Sequence, residues 1–127
     1  VNQRYDRGRE AFGEAEINWA KDQIVAYLVS NAYVPKVGKH RTVSDLSDIV
    51  AGPVALEGKT IKDGYAAAGQ VVFEAVKAEA MIRAMVIAKK NAALIAYMDE
   101  VTGFPMRSNG GDVVIATPKD KPWFFRL

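Results

Sequence analysis

The sequence predicts a mainly β fold, a small antiparallel β-sandwich or flattened barrel with a short N-terminal helix. Three observations predict it. The apolar residues between 71 and 98 cover every side of a helical wheel, whereas a surface helix keeps one face polar. Cut at Lys77-Ala78-Glu79 and at Lys89-Lys90-Asn91, the same stretch falls into runs of about six to nine residues, an ordinary strand length. Asn109-Gly110-Gly111-Asp112 ahead of Val113-Val114-Ile115-Ala116 is a hairpin signal, because glycine supplies the positive φ that tight turns need. Ala, Met, Lys and Glu over residues 66–98 favour one long helix by propensity alone, and that helix stands as the competing reading. On the strand reading, Leu94, Ile95 and Tyr97 pair antiparallel with Val113 and Ile115 through the turn signals of residues 99–112.

The remaining elements follow in order. Residues 1–15 read as an N-terminal arm or short helix and residues 16–127 as a single β domain, since a chain of 127 residues suits one core. The charged stretch Asp6 to Glu10 can form a helix, which Gly8 and Gly13 weaken. Too short to stand alone, it either covers an open end of the sheet or reaches to another subunit. Gln23 to Val29 is the first strong strand, rich in β-branched and aromatic residues, with Trp19 packing at its entrance. Pro35 to Ile49 lacks strand periodicity, apart from a helical turn over 44–49 capped by Ser44. Pro53 to Leu56, Lys59 to Ile61 and Tyr65 read as short strands punctuated by Gly58, Asp63 and Gly64. Thr117 to Pro122 is a surface turn, and Trp123 to Leu127 is a closing strand whose aromatic side chains are expected in the core.

Composition narrows the function classes. With 50% hydrophobic residues the chain has enough apolar surface for a core without staples, and with no cysteine it has no disulfide framework or thiol chemistry. The net charge of +2 arises from 17 basic and 15 acidic side chains spread along the chain, so no nucleic-acid footprint is legible and no nucleic-acid partner is expected. The first residues lack the basic start, apolar core and small-residue cleavage site of a signal peptide, and Arg83, Lys89 and Lys90 interrupt the most apolar window. The reading therefore expects no membrane segment.

Leu94-Ile95-Ala96-Tyr97-Met98-Asp99, Thr102-Gly103-Phe104-Pro105, Asn109 to Ile115 and Phe125-Arg126-Leu127 resemble the short virion structural proteins of tailed bacteriophages. Ile17-Asn18-Trp19, Asp22 to Val29, Tyr33, His40, Ser47-Asp48-Ile49, Leu56 to Thr60, Asp63-Gly64 and Val71 to Val76 match in the same order, so the resemblance runs over nearly the whole chain. Residues 77–91 depart from it, carrying Ala, Met and Lys where Thr-rich strands are the pattern. The resemblance implies a capsid decoration (cement) protein on the outer surface of the phage head, assembled in the host bacterial cytoplasm. Its implied partners are the major capsid protein and other copies of itself, in a homo-oligomer. A head-to-tail connector or tail component is the alternative within the same particle.

Chemistry-bearing patterns are sparse. Gly52 and Gly58-Lys59-Thr60 mimic a phosphate loop, but five residues separate the glycines where four are needed, and no helix follows. His40, the only histidine, has Ser44 and Asp45 nearby in sequence, yet a solvated loop histidine is the simpler reading than a triad. No metal or other cofactor is expected, and no catalytic residue is assigned. Trp19, Tyr27, Tyr65 and Trp123 leave room for a carbohydrate-binding module if they form exposed platforms. The candidate subunit contacts are Arg4, Tyr5, Arg7 and Phe12 in the N-terminal segment, and Lys36, Lys39, His40 and Arg41 in the long loop. Both segments are polar and weakly periodic beside strong strands, as adaptable contact segments on a rigid scaffold are.

Overall fold

The computed structural model describes residues 2–101, 103–117 and 123–126. In chain order the first elements are β1 (Gln3–Arg4), α1 (Asp6–Gly13), β2 (Ile24–Val29), β3 (Ile49–Ala55), β4 (Thr60–Lys62), β5 (Tyr65–Ala67) and β6 (Val71–Phe73). They are followed by β7 (Met81–Ile82), β8 (Ala84–Lys89), β9 (Leu94–Met98), β10 (Met106–Arg107), β11 (Val113–Ile115) and β12 (Phe125–Arg126). The fold is mainly β, every pairing is antiparallel, and α1 near the N-terminus is short. A five-stranded sheet runs β1-β9-β8-β2-β3, joined by a three-stranded sheet β12-β5-β4 and the pairs β11-β6 and β10-β7.

The central strands β2, β8 and β9 are buried on both faces, which settles the competition between helix and strand over residues 84–98. Ile24, Ala26 and Leu28 of β2 and Met85 and Ile87 of β8 enter one apolar cluster; Val25, Tyr27, Val29, Ala84, Val86 and Ala88 enter the other. Strands covered on both sides read as continuous apolar runs, and such runs cover a helical wheel on every side. The turn at Lys90-Asn91, with Asn91 at φ 55°, joins β8 to β9 at the charged cut that the sequence marks.

The first cluster is the sandwich core, where Trp19, Phe73, Ile82, Met85, Ile87, Ile95, Ile115, Phe124 and Phe125 meet. Trp19 closes it as expected at the entrance to β2, donating its indole N–H to the Ala67 carbonyl at 3.0 Å and meeting Phe125 edge-to-face at 5.4 Å. The other face lies under residues 30–46, where Tyr33, Val37, Val43 and Leu46 pack on Tyr5, Tyr27 and Tyr97. That long segment is pinned, because Val43 N–H donates to Ala92 O at 3.1 Å and Leu94 N–H to Arg41 O at 3.0 Å. Hydrogen bonds and apolar side chains thus make it a cover for the sheet.

A β-bulge sets the N-terminal edge. Ile87 pairs with Ala96 and Ala88 with Leu94, leaving Ile95 as the extra residue. Ile95 and Ala96 both face the sandwich core, and the Ile95 carbonyl accepts the Tyr5 N–H at 3.0 Å. β1 then pairs with β9 through Gln3 opposite Tyr97 and Arg4 opposite Ala96. The N-terminal segment is therefore built into the sheet, with α1 lying against β9.

Four expectations change. β9 does not pair with β11: its two sides are taken by β8 and β1, and β11 pairs with β6. Residues 99–112 are too long for a tight hairpin, and β10 within them pairs with β7. The turn Asn109 to Asp112 serves β6 and β11 instead, with the Asp112 carboxylate accepting Ala75 N–H at 2.9 Å and the Gly111 carbonyl accepting Val76 N–H at 3.0 Å. The helical turn in the long loop is a 3-10 turn over Val43–Asp45 that starts after Thr42, not at Ser44, because Asp45 folds back onto the Arg41 and Thr42 N–H groups. Trp123 is only half-buried, since it stacks on Tyr65 at 4.4 Å instead of entering the core with Phe124 and Phe125. The turn expected over Thr117 to Pro122 and the last residue of the closing strand, Leu127, lie largely outside the described residues.

Candidate functional site

The two segments singled out as contact surfaces touch each other. Asp6 N–H at the start of α1 donates to the Val37 carbonyl at 3.0 Å, and the Arg41 guanidinium donates to the Glu10 carboxylate at 3.0 Å. α1 and the loop over residues 35–45 therefore form one surface. Lys36 and Lys39 are exposed on it, around a turn in which the Lys36 carbonyl accepts the Lys39 and His40 N–H groups, both at 2.8 Å.

Beneath this surface runs a chain of aromatic hydroxyls. Lys36 N–H donates to His40 Nδ1 at 3.3 Å, so that nitrogen is an acceptor, and the Tyr33 hydroxyl at 2.9 Å donates to it as well. The Tyr33 oxygen is then free to accept from the Tyr5 hydroxyl at 2.6 Å. Burial above all holds the Tyr5 phenol well above its ordinary range, reinforced by its hydrogen bond to Tyr33; burial raises Tyr33 and Tyr97 too. All three stay protonated near neutral pH. Asp45, by contrast, is held below the ordinary carboxylate range by the N–H groups of Arg41 and Thr42.

The eight predicted contacts divide accordingly. Tyr5 is a correction: it is 0% exposed, because its ring fills the space between the sheet and the covering loop, and it cannot touch a partner. Arg7 is committed to its own helix end, pairing with Glu14 at 3.4 Å, Glu10 at 3.8 Å, and Glu16. His40 is half-buried and holds the loop, and Arg41 is paired to Glu10. Arg4 and Phe12 come together elsewhere, on an open cavity of about 370 Å³ whose other lining residues are Gly8, Arg9, Ile95 and Phe125. Arg4 and Phe125 also line an adjoining cavity of about 400 Å³ with Tyr65, Trp123 and Arg126. The sequence reading passed over Arg9 and Arg126. Arg9 carries a usable signal, lying five positions from Arg4 in the same charged stretch, whereas Arg126 reaches the site only through the pairing of β12 with β5.

No catalytic constellation assembles around His40. The Ser44 hydroxyl bonds to the Thr42 hydroxyl at 2.8 Å, the Asp45 carboxylate is turned to backbone N–H groups, and His40 meets Tyr33. Among the described residues no group of three or more His, Cys, Asp or Glu side chains is placed to hold a metal ion, and no helix is long and apolar enough to cross a membrane. No protein-family model, curated protein or solved structure matches the chain. What the surface can do follows from its own charges, edges and cavities. A carbohydrate platform of four aromatics does not form, since Trp19 and Tyr27 are 1% and 5% exposed and Tyr65 and Trp123 stack on each other.

The hydroxyl chain yields a stability prediction. Tyr33→Phe removes the group that accepts from the buried Tyr5 hydroxyl, leaving a donor without its partner at an expected cost of about 1–3 kcal/mol. Adding Tyr5→Phe removes the orphan, so the double variant is expected to lose less than the sum of the single losses. Urea unfolding of the four proteins measures this; additive losses would show that the two hydroxyls do not act as a pair.

Proposed function

We propose that the protein is a virion structural protein of a tailed bacteriophage, a decoration protein that binds the outside of the assembled head and stabilises it. The observation that carries this reading is the resemblance over nearly the whole chain, from Ile17-Asn18-Trp19 to the closing Phe125-Arg126. The matching residues are those on which the fold depends: Trp19 in the core, Ile24–Val29 and Leu94–Met98 as central strands, and Asn109 to Asp112 as the turn between β6 and β11. A scaffold whose central strands are buried on both faces suits a role that demands rigidity and no chemistry. Its partners on this reading are the major capsid protein and neighbouring copies of itself. Each copy adds a modest interface bridging shell subunits, and multivalency turns many such interfaces into resistance to internal pressure.

Copy number is the decisive measurement. Quantitative mass spectrometry of purified particles is expected to find the protein at hundreds of copies, as on a coated shell. About a dozen copies would instead place it in the alternative role, a connector ring at one vertex. Absence from the particle would end both readings.

A further inference from the structure

We propose that the groove between α1, β1 and β12 is a docking site for an extended acidic segment of another protein, with one apolar side chain of that segment entering the cavity between Phe12 and Phe125. Arg4 and Arg9 line the 370 Å³ cavity, and Arg126 lines the cavity that adjoins it across Arg4 and Phe125. Among the described residues none of these three guanidinium groups pairs with a carboxylate: Arg4 donates to the Arg126 carbonyl, and Arg126 lies over the Tyr65 ring at 5.7 Å. Arg7 and Arg41, on the neighbouring surface, each have carboxylate partners from this chain. Among the described residues the larger cavity has one carboxylate in its lining, Glu100. Among the described residues the lining of the 370 Å³ cavity carries two arginines and no carboxylate, beside an apolar floor of Phe12, Ile95 and Phe125.

Backbone edges also line the groove. Among the described residues β1 ends the five-stranded sheet on this side, and β12 ends the three-stranded one. Two sheet edges flanking a cleft present backbone groups to an extended chain, while the cavity takes alternate side chains, which is how peptides add to sheet edges. Arginine at the rim then selects carboxylates on the incoming segment. A second copy of this protein is a poor occupant, because residues 2–9 carry Arg4, Arg7 and Arg9 against a single Asp6, and an exchanged edge would set guanidinium against guanidinium. A single-stranded nucleic acid lacks its stacking platform here, since Tyr65 and Trp123 cover each other and Phe125 packs on Trp19. The partner is defined by its chemistry alone, independently of the virion reading.

The test is selection of a random library of short peptides on the wild-type protein. The selected pool is expected to be rich in Asp and Glu flanking an apolar residue. Its strongest member, synthesised and titrated, is expected to weaken by about tenfold or more in Arg4→Ala/Arg9→Ala and with rising salt. Binding is expected to be unchanged in Lys62→Ala/Lys90→Ala, at two exposed positions outside both cavities. Arg9→Glu, at an exposed position, provides a single charge reversal that is expected to abolish binding without touching the sheet. A pool without acidic enrichment, no selected peptide at all, or a winner that binds both arginine variants as tightly as wild type overturns the proposal. Tighter binding of a short thymidine oligonucleotide through the same arginines overturns it as well.

Discussion

Trp19→Ala is expected to lower the free energy of unfolding by about 3–5 kcal/mol, the range for emptying a large aromatic site in a packed core. Trp19 is 1% exposed, so the whole ring volume becomes a cavity. Two specific contacts go with it, the edge-to-face packing on Phe125 at 5.4 Å and the indole N–H bond to the Ala67 carbonyl at 3.0 Å. Phe125 sits in β12 and Ala67 in β5, which pair with each other, so the loss falls on the seam that fastens the three-stranded sheet to the core. Trp123→Ala is the internal control. Trp123 is half-buried against Tyr65, and its truncation is expected to cost less than Trp19→Ala. Guanidinium titrations of both variants decide the matter, and equal midpoints would mean that Trp19 does not anchor the seam.

What the sequence discloses here depends on how local the cause is. The central strands are legible because burial on both faces leaves a mark in the chain itself, an apolar run interrupted by charges at Lys77 to Glu79 and Lys89 to Asn91. The partner of β9 is not legible. Its neighbours β8 and β1 lie on opposite sides of it in the sheet but respectively near and far along the chain, and a turn signal at Asn109 to Asp112 says only that the chain reverses. Strands of two residues, such as β1, β7, β10 and β12, are too short to carry a period. The covering loop hides its nature for a related reason. Tyr33, Val37, Val43 and Leu46 are spaced for neither helix nor strand, yet each packs against the face of the large sheet. Of the contact residues, Arg4 and Phe12 are legible because both fall in the polar, weakly periodic N-terminal segment. Arg126 joins them only when the two sheets close, and Tyr5 reads as an accessible aromatic until the cover over it is known.

Gly8→Val is expected to destabilise the protein by about 3 kcal/mol and to loosen the N-terminal edge before the rest of the fold. Glycine inside a helix ordinarily weakens it by about 0.5–1 kcal/mol relative to alanine, so on propensity alone a substitution at position 8 should help. The packing reverses the sign. A Cβ on Gly8 would stand 2.5 Å from the Leu94 carbonyl oxygen and 2.8 Å from the Ile95 Cα, both backbone atoms of β9 at its bulge. Neither can move aside without disturbing the strand that pairs with β8 and β1. The helix must therefore lift, and with it the Tyr5 N–H bond to Ile95 and the groove residues Arg9 and Phe12. Gly13, in the last turn of the same helix, has nothing within 4 Å of its would-be Cβ, so Gly13→Ala is expected to be neutral or to add up to about 1 kcal/mol. Two measurements separate the outcomes. Denaturant midpoints give the opposite signs at positions 8 and 13, and amide exchange at Tyr5 is expected to accelerate in Gly8→Val beyond the global change. A Gly8→Val protein with wild-type stability would mean that α1 does not rest on the β9 backbone, and the close approach that makes room for the arginine-lined groove would have to be abandoned.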